Sequence, residues 1–286
     1  MSFTKTCNDC RNVIARSASK CPHCGRPSLF PNVDKALSEQ SDLESRYEKA
    51  TDDARLRGVI TNVEDFEKAT KNSFAVINRG LSELERLVGS DFEIYATFYQ
   101  LSGTTKMPTG EVWDSRRESA DSIIFTGYKE EIRFAALSLD SVGLSNYGDC
   151  SWVLREEMIA HRASVFETNT TIFVKQQNIH DEEEMPKGYR AVWDDRAKLC
   201  VTKITKKINA TTKSADYSYL LLNQGTSSSD DEFVEVHIFG PMTIRTIGEV
   251  SFKPLPSGLD KRTKRVKIAQ IAGIKEKLAK YGVTVN

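Results

Sequence analysis

The sequence predicts an α+β protein made of a small cysteine-held module, a helical connector and a larger domain of irregularly mixed strands and helices. Three observations carry this expectation. Four of the six cysteines fall in two Cys-x2-Cys pairs near the N-terminus. Residues 33–88 are rich in Glu, Ala, Leu and Arg at helical spacing. From Phe92 onward, alternating aromatic and β-branched runs interleave with helical ones. The length of 286 residues alone suggests about two domains. The expected boundaries are 1–30, 31–90 and 91–286.

The first module rests on Cys7-x2-Cys10, ten residues, then Cys21-x2-Cys24. Two residues between cysteines let one tight turn aim both sulfurs at one ion, and two such turns complete a tetrahedral thiolate site. Pro22 pre-sets the second turn, and Gly25 permits the left-handed backbone that follows it. So short a segment has no room for a core, and bound metal must supply its folding energy. The expectation is a structural zinc ion on Cys7, Cys10, Cys21 and Cys24. A Cys3His set using His23 is the geometrically poorer alternative. The segment resembles the short zinc ribbons of prokaryotic proteins, which share the Cys-x2-Cys and Cys-Pro-x-Cys-Gly turns. Such ribbons bind nucleic acid, bind protein or cap a domain.

The connector reads as two helices, 33–57 and 62–88. Asn62 offers an N-cap to the second, and Gly89 a stop. Phe74, Ile77, Leu81, Leu84 and Val88 alternate steps of three and four. That stripe either packs on the protein's own core or forms a hairpin or homodimer seam through residues 62–88.

In the body, residues 92–99 alternate like a strand, 103–114 form a loop, and 115–139 hold a helix. Short strands are expected at 152–154, 164–166 and 171–174. A polar acidic loop covers 176–188, and helices cover 189–210 and 214–223. The run Phe233-Val234-Glu235-Val236-His237-Ile238-Phe239 is the clearest strand, ended by Gly240-Pro241. Further β texture fills 243–252, and a basic helix closes the chain from Lys261. On that last helix Ile268, Ile271, Ile274 and Leu278 form the face expected to pack.

Charge and composition exclude some functions. Forty Lys and Arg balance forty Asp and Glu, so no global field draws the chain to nucleic acid or membrane. No apolar run is long enough for a transmembrane helix. The first residues, Met1-Ser2-Phe3-Thr4-Lys5-Thr6, contain no apolar leader, and metal-type cysteine spacing requires reduced thiols. Together these predict a cytoplasmic location. Local patches remain. Residues 1–30 carry Lys5, Arg11, Arg16, Lys20 and Arg26 against Asp9. The tail carries eight cations between Lys261 and Lys280 against Glu276, with Asp260 just before it. It reads either as a phosphate-binding patch or as a solvated helix face.

Phosphate-cradling glycine loops, nucleophile elbows and His-Glu-x-x-His are all absent from the sequence. Cys150 and Cys200 lie among apolar neighbours, and Cys200, on the apolar side of its helix, reads as core. Two segments carry candidate chemistry: 147–154 with 161–169, which includes His161, Ser164 and Glu167, and 233–241. A strand holding Glu-Val-x-Ile, then a Gly-Pro turn and a hairpin, resembles the last part of ADP-ribosyltransferase domains. The resemblance implies NAD as substrate, Glu235 as the catalytic carboxylate and Ser164 as the middle-strand serine. Phe233 stands where that family often has Glu or Gln. Arg116, Arg117 and Arg190 are the nearby candidates for its arginine. Without the resemblance, Glu235 and His237 are the solvent face of an amphipathic strand, and His180 is a solvated loop residue. Two functions follow: a zinc-ribbon protein whose α+β domain binds a protein or nucleic-acid partner, or an NAD-dependent transferase centred on Glu235.

Overall fold

A computed structural model describes the chain apart from residues 1–3, 8–9, 16–17, 19, 26–29, 98, 100–111 and 227–229; for Lys5 and residues 112–115 it describes the backbone alone. Near the N-terminus β1 (Thr4–Thr6) pairs antiparallel with β2 (Val13–Ala15). Three helices follow: α1 (Pro31–Ser38), α2 (Gln40–Leu56) and α3 (Ile60–Thr70). Then come β3 (Phe74–Arg79), α4 (Leu81–Leu87), α5 (Val112–Ile124), β4 (Ile132–Ser138), β5 (Cys150–Leu154) and β6 (Ala163–Phe166). The chain continues through α6 (Thr170–Gln176), β7 (Arg190–Val192), α7 (Arg196–Ile204) and α8 (Tyr217–Leu221). It ends with β8 (Glu235–Phe239), β9 (Ile247–Phe252), α9 (Lys261–Lys280) and β10 (Thr284–Val285).

The expected α+β class is met. Eight strands form one mixed sheet in the order β10-β9-β5-β3-β4-β8-β6-β7. Only the β10–β9 pair is parallel. Alternation along the strands sorts side chains to two faces. Ala135, Leu137, Val165, Val236 and Ile238 join a core with Leu43 of α2, Phe66 of α3, Leu199 and Val201 of α7, and Leu278 of α9. Ile132, Phe166 and Phe239 point the other way, into a second core with Ile124 of α5 and Phe173 of α6. The sheet is therefore covered on both faces; β8 is buried along its whole length and β4 everywhere but at the half-buried Phe134.

Several expectations are corrected. Residues 62–88 are not one helix: α3 ends at Thr70, β3 is a central strand, and α4 starts afresh after Gly80 at its N-cap. The apparent seam joined a strand residue, Ile77, to helix residues Leu81, Leu84 and Val88. All four are buried in the protein's own core, so they offer no homodimer seam, and Phe74 alone of the stripe is exposed. Residues 115–139 hold a helix only as far as Ile124, because Gly127 turns the chain at φ 80° and β4 follows. The expected strand at 171–174 is helix α6. The Asn169 side chain accepts from the Thr171 and Ile172 N–H groups, and that cap overrides the β preference of Thr-Thr-Ile. Residues 190–192 are strand β7, and the helix begins only at Arg196.

The expected strand at 92–99 runs without a ladder. Tyr95 N–H bonds the Met242 carbonyl at 2.8 Å, Phe92 is exposed, and Phe98 lies outside the described residues. So do residues 103–111 of the expected loop 103–114, while 112–114 already belong to α5. The strands at 152–154 and 164–166 and the buried Cys200 match expectation; the strand expected at 233–239 starts at Glu235, and the last helix stops at Lys280, where the chain turns into β10 instead of staying helical to its end. On that helix Ile274 and Leu278 are buried, whereas Ile268 is exposed.

Candidate functional site

The four cysteines converge. Their sulfurs all lie within 4.8 Å of one another. Cys7 Sγ is 3.7 Å from Cys24 Sγ, and Cys10 Sγ is 3.6 Å from Cys21 Sγ. A regular tetrahedron with metal–sulfur arms of about 2.3 Å has edges of about 3.8 Å. The donor set thus fits one tetrahedral metal ion with no open position. His23 is exposed and is not part of this group, which leaves the Cys3His alternative without support. The two turns match locally. Arg11 N–H bonds the Cys7 carbonyl at 3.0 Å, and Gly25 N–H bonds the Cys21 carbonyl at 2.9 Å. The residue after each pair is left-handed, with φ 59° at Arg11 and 71° at Gly25. Asn12, through its backbone and its side-chain amide, pulls the Cys10 thiol down to about 6. This favours the thiolate form that a metal ion needs.

A second site follows from a break in the sheet. β3 and β4 pair only at Phe74↔Ser138, Ala75↔Leu137 and Val76↔Ala136. Beyond Val76, β3 continues against β5, while β4 continues against β8. The two strands therefore fork. Between them lies a cavity of about 410 Å³, within the usual range for small-molecule sites. Val76–Arg79 form one wall and Ile132–Ala136 the other, and Tyr95–Thr97 cross it. Arg79, Glu83, Arg117, Tyr147, Asn169 and Glu235 bring polar groups to it.

Glu235 opens β8 at the fork. It and His237 are each only 2% exposed, not solvent-facing as the amphipathic-strand reading had it. Glu235 Oε2 accepts from Thr170 N–H at 3.1 Å, at the start of α6, and lies 3.1 Å from His237 Nε2. Arg117 of α5 spans two carboxylates, with Nη2 3.8 Å from Glu235 Oε1 and Nε 3.5 Å from Asp121 Oδ2. Its guanidinium lies over the Phe134 ring at 4.1 Å. Tyr99 OH donates to Asp121 Oδ2 at 2.7 Å. Asp121 Oδ1 and Thr170 Oγ1, both buried, have no hydrogen-bond partner among the described residues.

The electrostatics follow from burial and these neighbours. Burial alone would raise the Glu235 carboxyl, but the His237 hydrogen bond and charge, Arg117 and Thr170 N–H outweigh it, leaving its pKa below the ordinary value. Asp121 goes the other way, because burial outweighs Arg117 and Tyr99. Burial disfavours the Arg117 cation, yet Asp121 and Glu235 hold its pKa above the usual value. The Tyr147 hydroxyl is pushed up to about 12, first by burial and then by Asp231. At neutral pH, then, the cavity meets an ionised carboxylate beside a fixed guanidinium.

The other sequence candidates scatter. Ser164 sits opposite His237 on β6, where its Oγ accepts from Asn32 at 3.2 Å, and it does not line the cavity. Arg190 Nε is 3.0 Å from Glu39. Arg116 and His180 are exposed. Glu167 pairs with Arg46 at 2.5 Å. Sequence reasoning missed Asp121 and Tyr99, whereas Tyr147 and Asn169 lie within the segments 147–154 and 161–169 that it singled out, without a role assigned to either. Asp121 had a signal: it stands four residues after Arg117, beside the apolar Ala120 and Ile124.

No protein-family model matches this chain and no curated protein matches it, so the forked cavity and the cysteine cluster speak only through their own geometry.

Proposed function

We propose that the cavity at the sheet fork is the working site and that the protein is an NAD-consuming transferase with Glu235 as its functional carboxylate. The observation carrying this reading is a buried carboxylate, held ionised, on the wall of a ligand-sized cavity. Such a carboxylate stabilises positive charge developing on a sugar as a glycosidic bond breaks. Nicotinamide would leave with the bonding pair, and an acceptor nucleophile would take its place. Arg117 and Arg79 would hold anionic groups of the same substrate. Ser164 takes no direct part in this reading, since it does not reach the cavity; it braces β6 against α1 through Asn32.

The test is nicotinamide release by metal-loaded protein. Wild type should turn over, and Glu235→Gln should lose about 10²- to 10³-fold, the scale of removing one transition-state charge partner. Equal turnover in the variant, checked for folding by circular dichroism, sinks the reading.

A second reading is favoured by the cysteine cluster. Sulfur spacings near those of a zinc tetrathiolate support a structural zinc ion in a ribbon-like module, and such a module engages a protein or nucleic-acid partner. The two readings are compatible in one chain, with the fork cavity reacting and the rest of the surface docking. Elemental analysis should find one zinc per chain, lost in Cys7→Ser/Cys24→Ser. A stoichiometry near zero after zinc-supplemented expression would remove the module.

A further inference from the structure

The basic end of α9 is charged in a way that folding alone does not explain. Lys261, Arg262, Lys264, Arg265 and Lys267 fall within its first seven residues, with no acidic residue in the first turn. Asp260, just before them, is committed as the cap: it accepts from Arg262 N–H, Thr263 N–H and Thr263 OH. Cations at a helix N-terminus oppose the helix dipole and repel one another. Among the described residues, Lys261, Arg262, Lys264 and Arg265 form no ion pair, and all four are exposed. Lys267 alone is compensated, by Asp149 at 3.7 Å. In a chain of zero net charge, this is a local concentration of unspent positive charge.

Its position matters as much as its sign. Asp149 belongs to the loop carrying Tyr147, which lines the fork cavity. Lys253 ties into the same loop: its N–H bonds the Asp149 carbonyl at 2.8 Å, and its ammonium donates to the Ser145 carbonyl. The basic end of α9 therefore adjoins the loop at the cavity's edge.

We propose that this surface docks a polynucleotide through its phosphates; the proposal rests on the second reading above and names its partner. A membrane surface fits less well. The apolar side of α9 is spent on the protein's own core through Ile274 and Leu278. The exposed apolar residues Val266 and Ile268 lie two positions apart, about 200° around the helix, and make no continuous face to enter lipid. A polyanion needs only the cations. Contacts of this kind carry affinity without sequence preference.

The experiment is fluorescence anisotropy of a labelled 20-nucleotide duplex against the full-length, metal-loaded protein over a salt series. Four phosphate contacts give a log–log slope of about −3.6, a loss of about 150-fold between 50 and 200 mM salt. The variant Lys261→Gln/Arg262→Gln/Lys264→Gln/Arg265→Gln changes only exposed side chains and should lose most of both the affinity and the slope. Glu235→Gln should bind like wild type, which separates this proposal from the catalytic one. A single Lys264→Glu should weaken binding more than about fivefold, guarding against misfolding of the quadruple variant. Binding unchanged in the quadruple variant, binding lost instead in Cys7→Ser, no duplex binding at 50 mM salt, or binding only to phosphatidylglycerol vesicles would each overturn it.

Discussion

At the residue scale, two kinds of position carry the protein's chemistry: those whose backbone is unusual and those whose charge is buried. Gly25 and Arg11 occupy equivalent left-handed positions after the second cysteine of each turn. Glycine adopts that conformation freely, whereas a side chain costs about 1–2 kcal/mol there. Gly25→Ala should therefore release metal to a competing chelator more readily, while Arg11→Gly should hold it more tightly; identical release curves would contradict this. Glu235 allows a pH prediction. Its folded pKa is depressed, so its contribution is present above the unfolded value of about 4.3 and is lost as pH falls through the folded value. Glu235→Gln should melt well below wild type at pH 7, by up to about 3 kcal/mol, with the gap closing as pH falls below about 4. A gap independent of pH would mean that Glu235 is not ionised in the fold. The cysteine cluster was legible from sequence because its spacing is itself the geometry. The Arg117–Glu235 contact was not, because 118 positions separate the two residues, and only the sheet brings α5 over β8.

At the element scale, short β-branched runs misled and end signals informed. Thr-Thr-Ile after Asn169 is a capped helix, and Phe-Ala-Val-Ile before Gly80 is a strand. In the first the Asn169 cap decided the outcome, and in the second the ladders to β4 and β5 did. The cap on α6 also aims Thr170 N–H at Glu235. Asn169→Ala should cost about 1 kcal/mol in chemical denaturation through the lost cap. It should also lower ligand affinity, because Asn169 lines the cavity. A variant as stable as wild type would show that the cap is dispensable. Gly148 marks a second close approach. A Cβ there would lie 2.1 Å from the Arg79 carbonyl carbon, so Gly148→Ala must push the Tyr147 loop off β3.

At the scale of the whole molecule, the α+β class was legible and the separate connector was not. Helices α2 and α3 share one core with the sheet, and β3, hidden within an apparent helix, is one of its central strands. Amphipathic spacing reports that a stripe is buried and is silent on what buries it. The fork is likewise invisible to local patterning, since it arises from where β3 and β4 stop pairing. Yet it is the fork that makes room for a ligand beside an ionised carboxylate. The most direct measurement is calorimetric titration of NAD into the metal-loaded protein and into Ala96→Trp, which fills the cavity from its rim without altering a charge. Saturable binding to wild type, abolished in the variant, is the result expected if the fork is the working site. Equal binding to both proteins, or none to wild type, would place the function elsewhere.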